Sequence, residues 1–221
     1  MVRELTKSDG IDYFQVLNNK TILPSTFFAP ISYYSILLNL SDIVIEIHEN
    51  YIKQSIRNRC SIYSANGILN LSVPKIRKNS SKTKIKDVKI CYAEPWQKIH
   101  WKTIVTYYNS SPFFDFYRDR LEKIYFEKEK FLIDLNHKTL CLILEIFKVK
   151  KNISFSDNYE KLISPKDFRS FSFLTDQKIY YDQVYSVKHG FINNLSILDL
   201  LFNLGPESTD IINKINISKI Y

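Results

Sequence analysis

The spacing of apolar residues changes character at Pro95. Before it, short apolar runs bounded by Pro, Ser, Asn and Gly read as strands; after it, apolar positions three and four apart read as helices. "TILPSTFF" (residues 21–28) predicts a first strand, with Pro24 confining it to an edge, a bulge or a strand start. "APIS" reads as a turn, and Ser32 is placed to cap a short helix through "YYSILLNL". "SDIVIEIH" makes the next strand. Strand, helix and strand in that order fit a parallel pair joined by a right-handed crossover.

A hairpin follows. "SIRNRCSIYS" and "ILNLSVP" flank Asn66-Gly67, a dipeptide whose residues both tolerate positive φ and so close tight antiparallel turns. Strand alternation puts Arg57, Arg59 and Ser61 on one face of the first run, with Asn58, Cys60 and Ile62 on the other. Lysine-rich "RKNSSKTKIK" reads as a solvated loop and "DVKICYA" as one more strand. Pro95 then starts a helix with apolar positions at Trp96, Ile99, Ile104, Val105 and Tyr108. A second helix starts with Ser111 as cap and Pro112 in its first position. A third, "FLIDLNHKTLCLILEIFKV", buries Leu140, Ile143, Leu144 and Phe147. "YYDQVYSV" suits a short strand or extended arm, and "NLSILDLLFNLG" a capped helix closed by Gly205-Pro206. The fold class expected is α/β: a small mixed or parallel sheet with a β-hairpin, followed by a helical half.

Composition adds limits. The chain has 221 residues, 45% hydrophobic and 24% charged, enough for one substantial core and too apolar for disorder. No repeat is evident. Basic residues exceed acidic ones by 31 to 23, giving +8, but only seven are arginines and the lysines are scattered. The wealth of Ile, Lys, Asn, Tyr and Phe is what a genome biased toward A and T produces. Basic residues are not grouped with aromatics on one element, so no nucleic-acid partner is expected. Three cysteines without CxxC spacing give neither a disulfide framework nor a structural zinc site. The polar start "MVRELTKSDG" has no apolar signal core, and no apolar run reaches the roughly 18 residues a membrane helix needs. The expected compartment is the cytoplasm.

Candidate chemistry comes from a few side chains. Arg57 and Arg59 on one strand face could each grip a phosphate or carboxylate in bidentate fashion, with Asn58 joining only through a bulge. The alternative is a structural network with Asp42, Glu46 or Glu49. His48, beside Glu49 at the end of a strand, is placed as a general base, or is a solvated strand end. His100, with Lys102, is a second candidate; four residues after Trp96, it could instead stack there as packing. Asp199 and Asn203, four apart on one helix, could reach a pocket or form an ordinary polar face. The four histidines are isolated, so no metal is expected, and no cofactor is implied. Cys60 reads as core. With four glycines in the chain, no glycine-rich phosphate loop can form, and GxSxG is absent.

At "IRNRC…NGILNLSVP" and "HWKTIVTYYNSSPFFDFY" the chain resembles the WbqC-like proteins of bacteria, and its tail, "YDQVYSVKHGFINNLSILDLLFNLGPES", the version common in Bacteroidetes. The resemblance runs from about residue 20 to residue 207. It divides the chain into an extension at 1–20, one domain at 21–207 (sheet-rich 21–93, helix-rich 95–207) and a tail at 208–221. Members outside this subgroup carry a glycine where Ser32 stands here. Because the family takes its name from O-antigen gene clusters, the resemblance implies a role in surface polysaccharide metabolism. The function expected is cytoplasmic group transfer with a phosphorylated or nucleotide-sugar donor held by Arg57 and Arg59, and His48 or His100 taking the acceptor's proton. The strand–helix–strand opening is similar to that of nucleotidyltransferases, without their paired histidines. The rival is a non-catalytic protein that docks on an enzyme complex or makes peripheral contact with an anionic membrane.

Overall fold

A computed structural model describes residues 20–76, 82–159, 161 and 166–217. The N-terminal extension and most of the lysine-rich loop lie outside the described residues. The elements in chain order are β1 (Thr21–Pro24), α1 (Ile31–Asn39), β2 (Ile43–Glu46), β3 (Arg59–Ser64), β4 (Gly67–Ser72), α2 (Trp96–Tyr108) and α3 (Phe114–Phe126). They continue with α4 (Leu132–Ile146), β5 (Ile153–Phe155), α5 (Ser186–His189), α6 (Ile197–Leu204) and α7 (Ser208–Lys214).

β1 and β2 pair in parallel, in the register Thr21 to Ile43, and β5 joins the other edge of β2, also in parallel. A single parallel bridge from Ile22 to Asp167 covers the outer edge of β1. β1 therefore has neighbours on both sides, and all four of its residues are buried, as its unbroken apolar run requires. β3 and β4 form a separate antiparallel hairpin, closed where Ser64 pairs with Gly67 around Ala65-Asn66. Gly67 takes φ +95°, a conformation the missing Cβ permits. The protein is thus a mixed α/β fold: three parallel strands and a hairpin, followed by a helical half. No helix among the described residues is long and apolar enough to cross a membrane.

Several local expectations differ from the structure, and one strand had no counterpart among them. α1 starts one residue after Pro30, and Ser32 lies inside its first turn instead of capping it. The Ser32 hydroxyl donates to Phe173 O (2.6 Å), its N–H to Asn194 Oδ1 (2.9 Å), and Ile31 N–H to Leu195 O (3.1 Å). "DVKICYA" makes no strand, because Lys89 bridges Phe131 while Ile90 bridges Lys75, and neither partner continues the ladder. α3 begins at Phe114, not Pro112. Ser111 O accepts from Phe114 N–H in a turn, and Phe113 N–H donates to Phe202 O, which pulls this backbone onto α6. β5 was not anticipated: it is three residues long and its Phe155 stays 40% exposed, so it carries no apolar pattern.

α6 forms as its sequence dictates. Ser196 Oγ accepts from Leu198 N–H at 3.3 Å, and Gly205 ends the helix at φ +55°. Leu198, Leu201 and Phe202 are fully buried, with the Phe202 ring 5.1 Å from Phe114 and 5.0 Å from Tyr108. Phe202 thereby packs α6 against α2 and α3, and Ser196 N–H donates to Ser61 O (2.8 Å), which ties the start of α6 to the hairpin.

Candidate functional site

Three parallel strands that end together leave their following residues on one edge, where open α/β sheets bind ligands. Here that edge is polar. Glu46 ends β2, Ser25 follows β1 and Ser156 follows β5. Glu46 Oε1 accepts from Ser156 Oγ (2.7 Å) and from His48 N–H (2.6 Å), and Glu46 Oε2 takes Arg169 Nη1 (3.0 Å). Arg169 also donates Nη2 to Asp167 Oδ2 at 2.6 Å, and its guanidinium lies 4.7 Å from the Tyr159 ring centroid. Arg57 forms a two-pronged pair with Glu49: Nε to Oε1 and Nη2 to Oε2, both 2.7 Å. Arg57 Nη2 also donates to Arg169 O (2.9 Å), joining the two pairs. Burial pushes the Glu49 carboxyl up, and Arg57 opposes that shift.

The two arginines therefore do not share a strand face. Arg57 and Asn58 lie in the turn before β3, so alternation begins only at Arg59. Arg57 is 3% exposed and its fork is occupied by Glu49, the network foreseen as the alternative to an anion site. Asn58 is buried and its Nδ2 donates to Val73 O (3.0 Å), tying the start of β3 to the end of β4. Arg59 differs. It is half-buried, its Nε has no hydrogen-bond partner, and no carboxylate among the described residues pairs with it. It lies close enough to Tyr51 to oppose the burial that raises that phenol's pKa, and Lys75 Nζ sits 5.2 Å above the same ring.

His48 is half-buried at the sheet edge, and its imidazole has no hydrogen-bond partner among the described residues. His100 is elsewhere. Its ring is 6% exposed in an aromatic cage, 5.1 Å from Trp96, 6.2 Å from Tyr125 and 6.5 Å from Phe27. Burial pulls its pKa down to about 4, which keeps it neutral. Lys102, two residues on, is exposed, so the two do not face one another. Cys60 is core, with burial raising its thiol to about 12.

Asp199 is fully buried. Its carboxylate accepts from Tyr108 Oη (2.7 Å), Tyr181 Oη (2.6 Å) and Gln183 Nε2 (3.0 Å), and Asn203 Nδ2 donates to its backbone oxygen (2.7 Å). The Asp199–Asn203 pair thus fastens the extended arm at 181–183 to α6 and does not line an opening. Burial raises the Asp199 pKa despite these three donors. A group raised in the folded state stabilises below its unfolded pKa, and that stability is lost as pH rises through the folded value. Denaturant midpoints measured from acid to neutral pH should show this fall, and Asp199→Asn should flatten it.

The sequence does not single out Ser25, which follows β1, or Asn136 and His137, which α4 brings to the same edge. Asn136 Nδ2 donates to Ser25 Oγ and to Arg57 O, both 2.9 Å. Since a carbonyl oxygen only accepts, the amide orientation is fixed, and Asn136 Oδ1 is left without a partner at 2% residue exposure. Ser25, Asn136 and His137 line a cavity of about 10 Å3, the room of one water. His137 packs 5.1 Å from Phe155, and its Nε2 lies 3.5 Å from Cys141 Sγ. No motif marks these residues; the only signal was a polar Asn136 on the inward face of an apolar helix. The start of α1, where an anion would dock in many open sheets, is closed by Asn194 and Leu195. Among the described residues, no three His, Cys, Asp or Glu side chains are grouped to hold a metal.

A small parallel sheet with a polar carboxyl edge, fused to a hairpin and a helical half, defines the class of protein. The chain belongs to the WbqC-like protein family, whose profile matches residues 25–169 and 160–211. It is also similar to the mycobacterial "Uncharacterized protein Rv1507c" of Mycobacterium tuberculosis, 25% identical over 223 residues, covering 86% of this chain and 95% of that one. No solved structure matches the chain.

Proposed function

We propose that this protein is a group-transfer enzyme of cell-surface glycan metabolism that holds the phosphate of a nucleotide-linked sugar against Arg59. The observation that carries this reading is the Arg59 guanidinium, unpaired among the described residues, beside the Tyr51 ring and Lys75. Arg57 has a supporting part. Its pairing with Glu49 fixes the 48–51 segment against the 57–59 turn, and so keeps Tyr51 near Arg59. Two cations and an aromatic face meet at one place, and the half-buried His48 imidazole follows β2, three residues before Tyr51.

In the transfer step, the acceptor hydroxyl attacks the sugar's anomeric carbon and gives its proton to His48. The bond from that carbon to the phosphate oxygen breaks, and the phosphate leaves with the electron pair. Arg59 and Lys75 stabilise the negative charge on the departing oxygen. His100 has no part in this step, because its ring is buried in an aromatic cage.

The test is isothermal titration of the full chain with nucleotide sugars and free nucleotides. A charge-assisted hydrogen bond contributes about 1.5–3 kcal/mol, so Arg59→Ala should weaken binding by roughly 10- to 150-fold. Equal affinity of the variant, or no heat with any nucleotide from the wild type, would end this reading and leave the docking role.

A further inference from the structure

A wide opening lies away from the sheet edge, between the arm at 180–191 and helices α6 and α7. It is a groove of about 510 Å3, within the range of small-molecule sites. Phe191, Leu204 and Ile211 form its half-buried apolar floor. Tyr180 stands at the rim with 67% of its surface exposed, its ring 4.8 Å from Phe191. Tyr181 is fixed from below: its hydroxyl donates to buried Asp199, and its ring meets Phe191 at 88°. One wall is therefore rigid and aromatic.

The charged rim is reversed in sign relative to the whole molecule. Asp182, Glu207 and Asp210 face a single cation, Lys214, a local balance of minus two in a chain that carries +8 overall. None of these four side chains makes a hydrogen bond or ion pair with another described residue. An aromatic wall offers a flat surface for the C–H face of a pyranose. Unpaired carboxylates accept hydrogen bonds from hydroxyl or ammonium groups, and they repel phosphate.

We infer that this groove binds a neutral or amine-bearing glycosyl unit without phosphate, as a subsite separate from the sheet edge. The inference rests on the groove itself and goes beyond the group-transfer reading above. The two regions differ in charge: Arg59 and Lys75 place cations beside Tyr51, and carboxylates rim the groove. The surplus of carboxylates favours an amino sugar over its neutral counterpart.

Saturation-transfer NMR on the full chain, without nucleotide, tests this with glucosamine, glucose and glucose 6-phosphate as probes. Transfer is expected to glucosamine most strongly, to glucose less, and to the phosphate least. Tyr180→Ala, at an exposed position that leaves the core intact, should reduce transfer to both sugars several-fold. The double variant Glu207→Gln, Asp210→Asn should abolish the preference for glucosamine while keeping glucose. Arg59→Ala should leave the glucosamine and glucose signals unchanged while removing any phosphate signal that arises at the donor site, so that a failure of the donor site and a failure of the groove give different results. No transfer to either sugar, an equal signal from the phosphate in Arg59→Ala, or unchanged transfer in Tyr180→Ala would overturn the inference.

Discussion

Arg57→Ala is expected to lower the unfolding free energy by about 3–5 kcal/mol, because it leaves the Glu49 carboxylate buried without its partner. The side chains are 4% and 8% exposed and joined by two parallel hydrogen bonds. Removing the guanidinium also takes a donor from Arg169 O, so the second pair with Glu46 loses its link to the first. Denaturant midpoints would show the effect. A double replacement, Arg57→Met with Glu49→Leu, should recover much of the loss, since well-packed apolar side chains substitute for a buried pair. By contrast, loss of the surface pair of Arg120 and Glu145, exposed at 38% and 73%, should cost less than about 1 kcal/mol. If Arg57→Ala changed stability as little as that, the network at the sheet edge would not be structural.

Gly205→Ala is the second large effect. Gly205 has φ +55°, where a side chain costs about 1–2 kcal/mol. A Cβ there would also collide with the Phe113 ring, an overpacking that adds about 1–3 kcal/mol. Together they predict a loss of about 2–5 kcal/mol, read as a drop in thermal or denaturant midpoint. Phe113→Leu in the same chain should relieve the collision and keep only the backbone strain. An unchanged midpoint in Gly205→Ala would mean that the α6 terminus can move away from α3.

Much of the scaffold was legible because local chemistry decided it. β1 and β2 are largely β-branched or apolar runs, and Ser196 and Gly205 mark both ends of α6. Asn66-Gly67 announced the hairpin, but its turn residues are Ala65-Asn66, one position earlier than expected, with Gly67 alone at positive φ. β5 was not legible, because three residues with an exposed Phe155 carry no pattern. The arginine face was misjudged at its first residue. Period-two alternation holds only inside a strand, and Arg57 precedes it. The candidate site was the least visible part. Asn136 reaches the backbone of Arg57 across 79 positions, and Arg169 reaches Glu46 across 123. Pairings at such distances are fixed by packing and leave no local signature. His100 shows the same limit: spacing put it near Trp96, but only burial shows that it is caged and neutral.

The first turn of α1 receives its cap from Asn194, 162 positions later, and the outer edge of β1 waits for Asp167. On the ribosome, the opening strand–helix–strand unit emerges long before either completing segment has been made. Contacts so distant are slow to form, and an uncovered strand edge invites association with other chains in the interval. The nascent protein's most vulnerable surface is therefore the same polar and apolar border that, once sealed, frames the site.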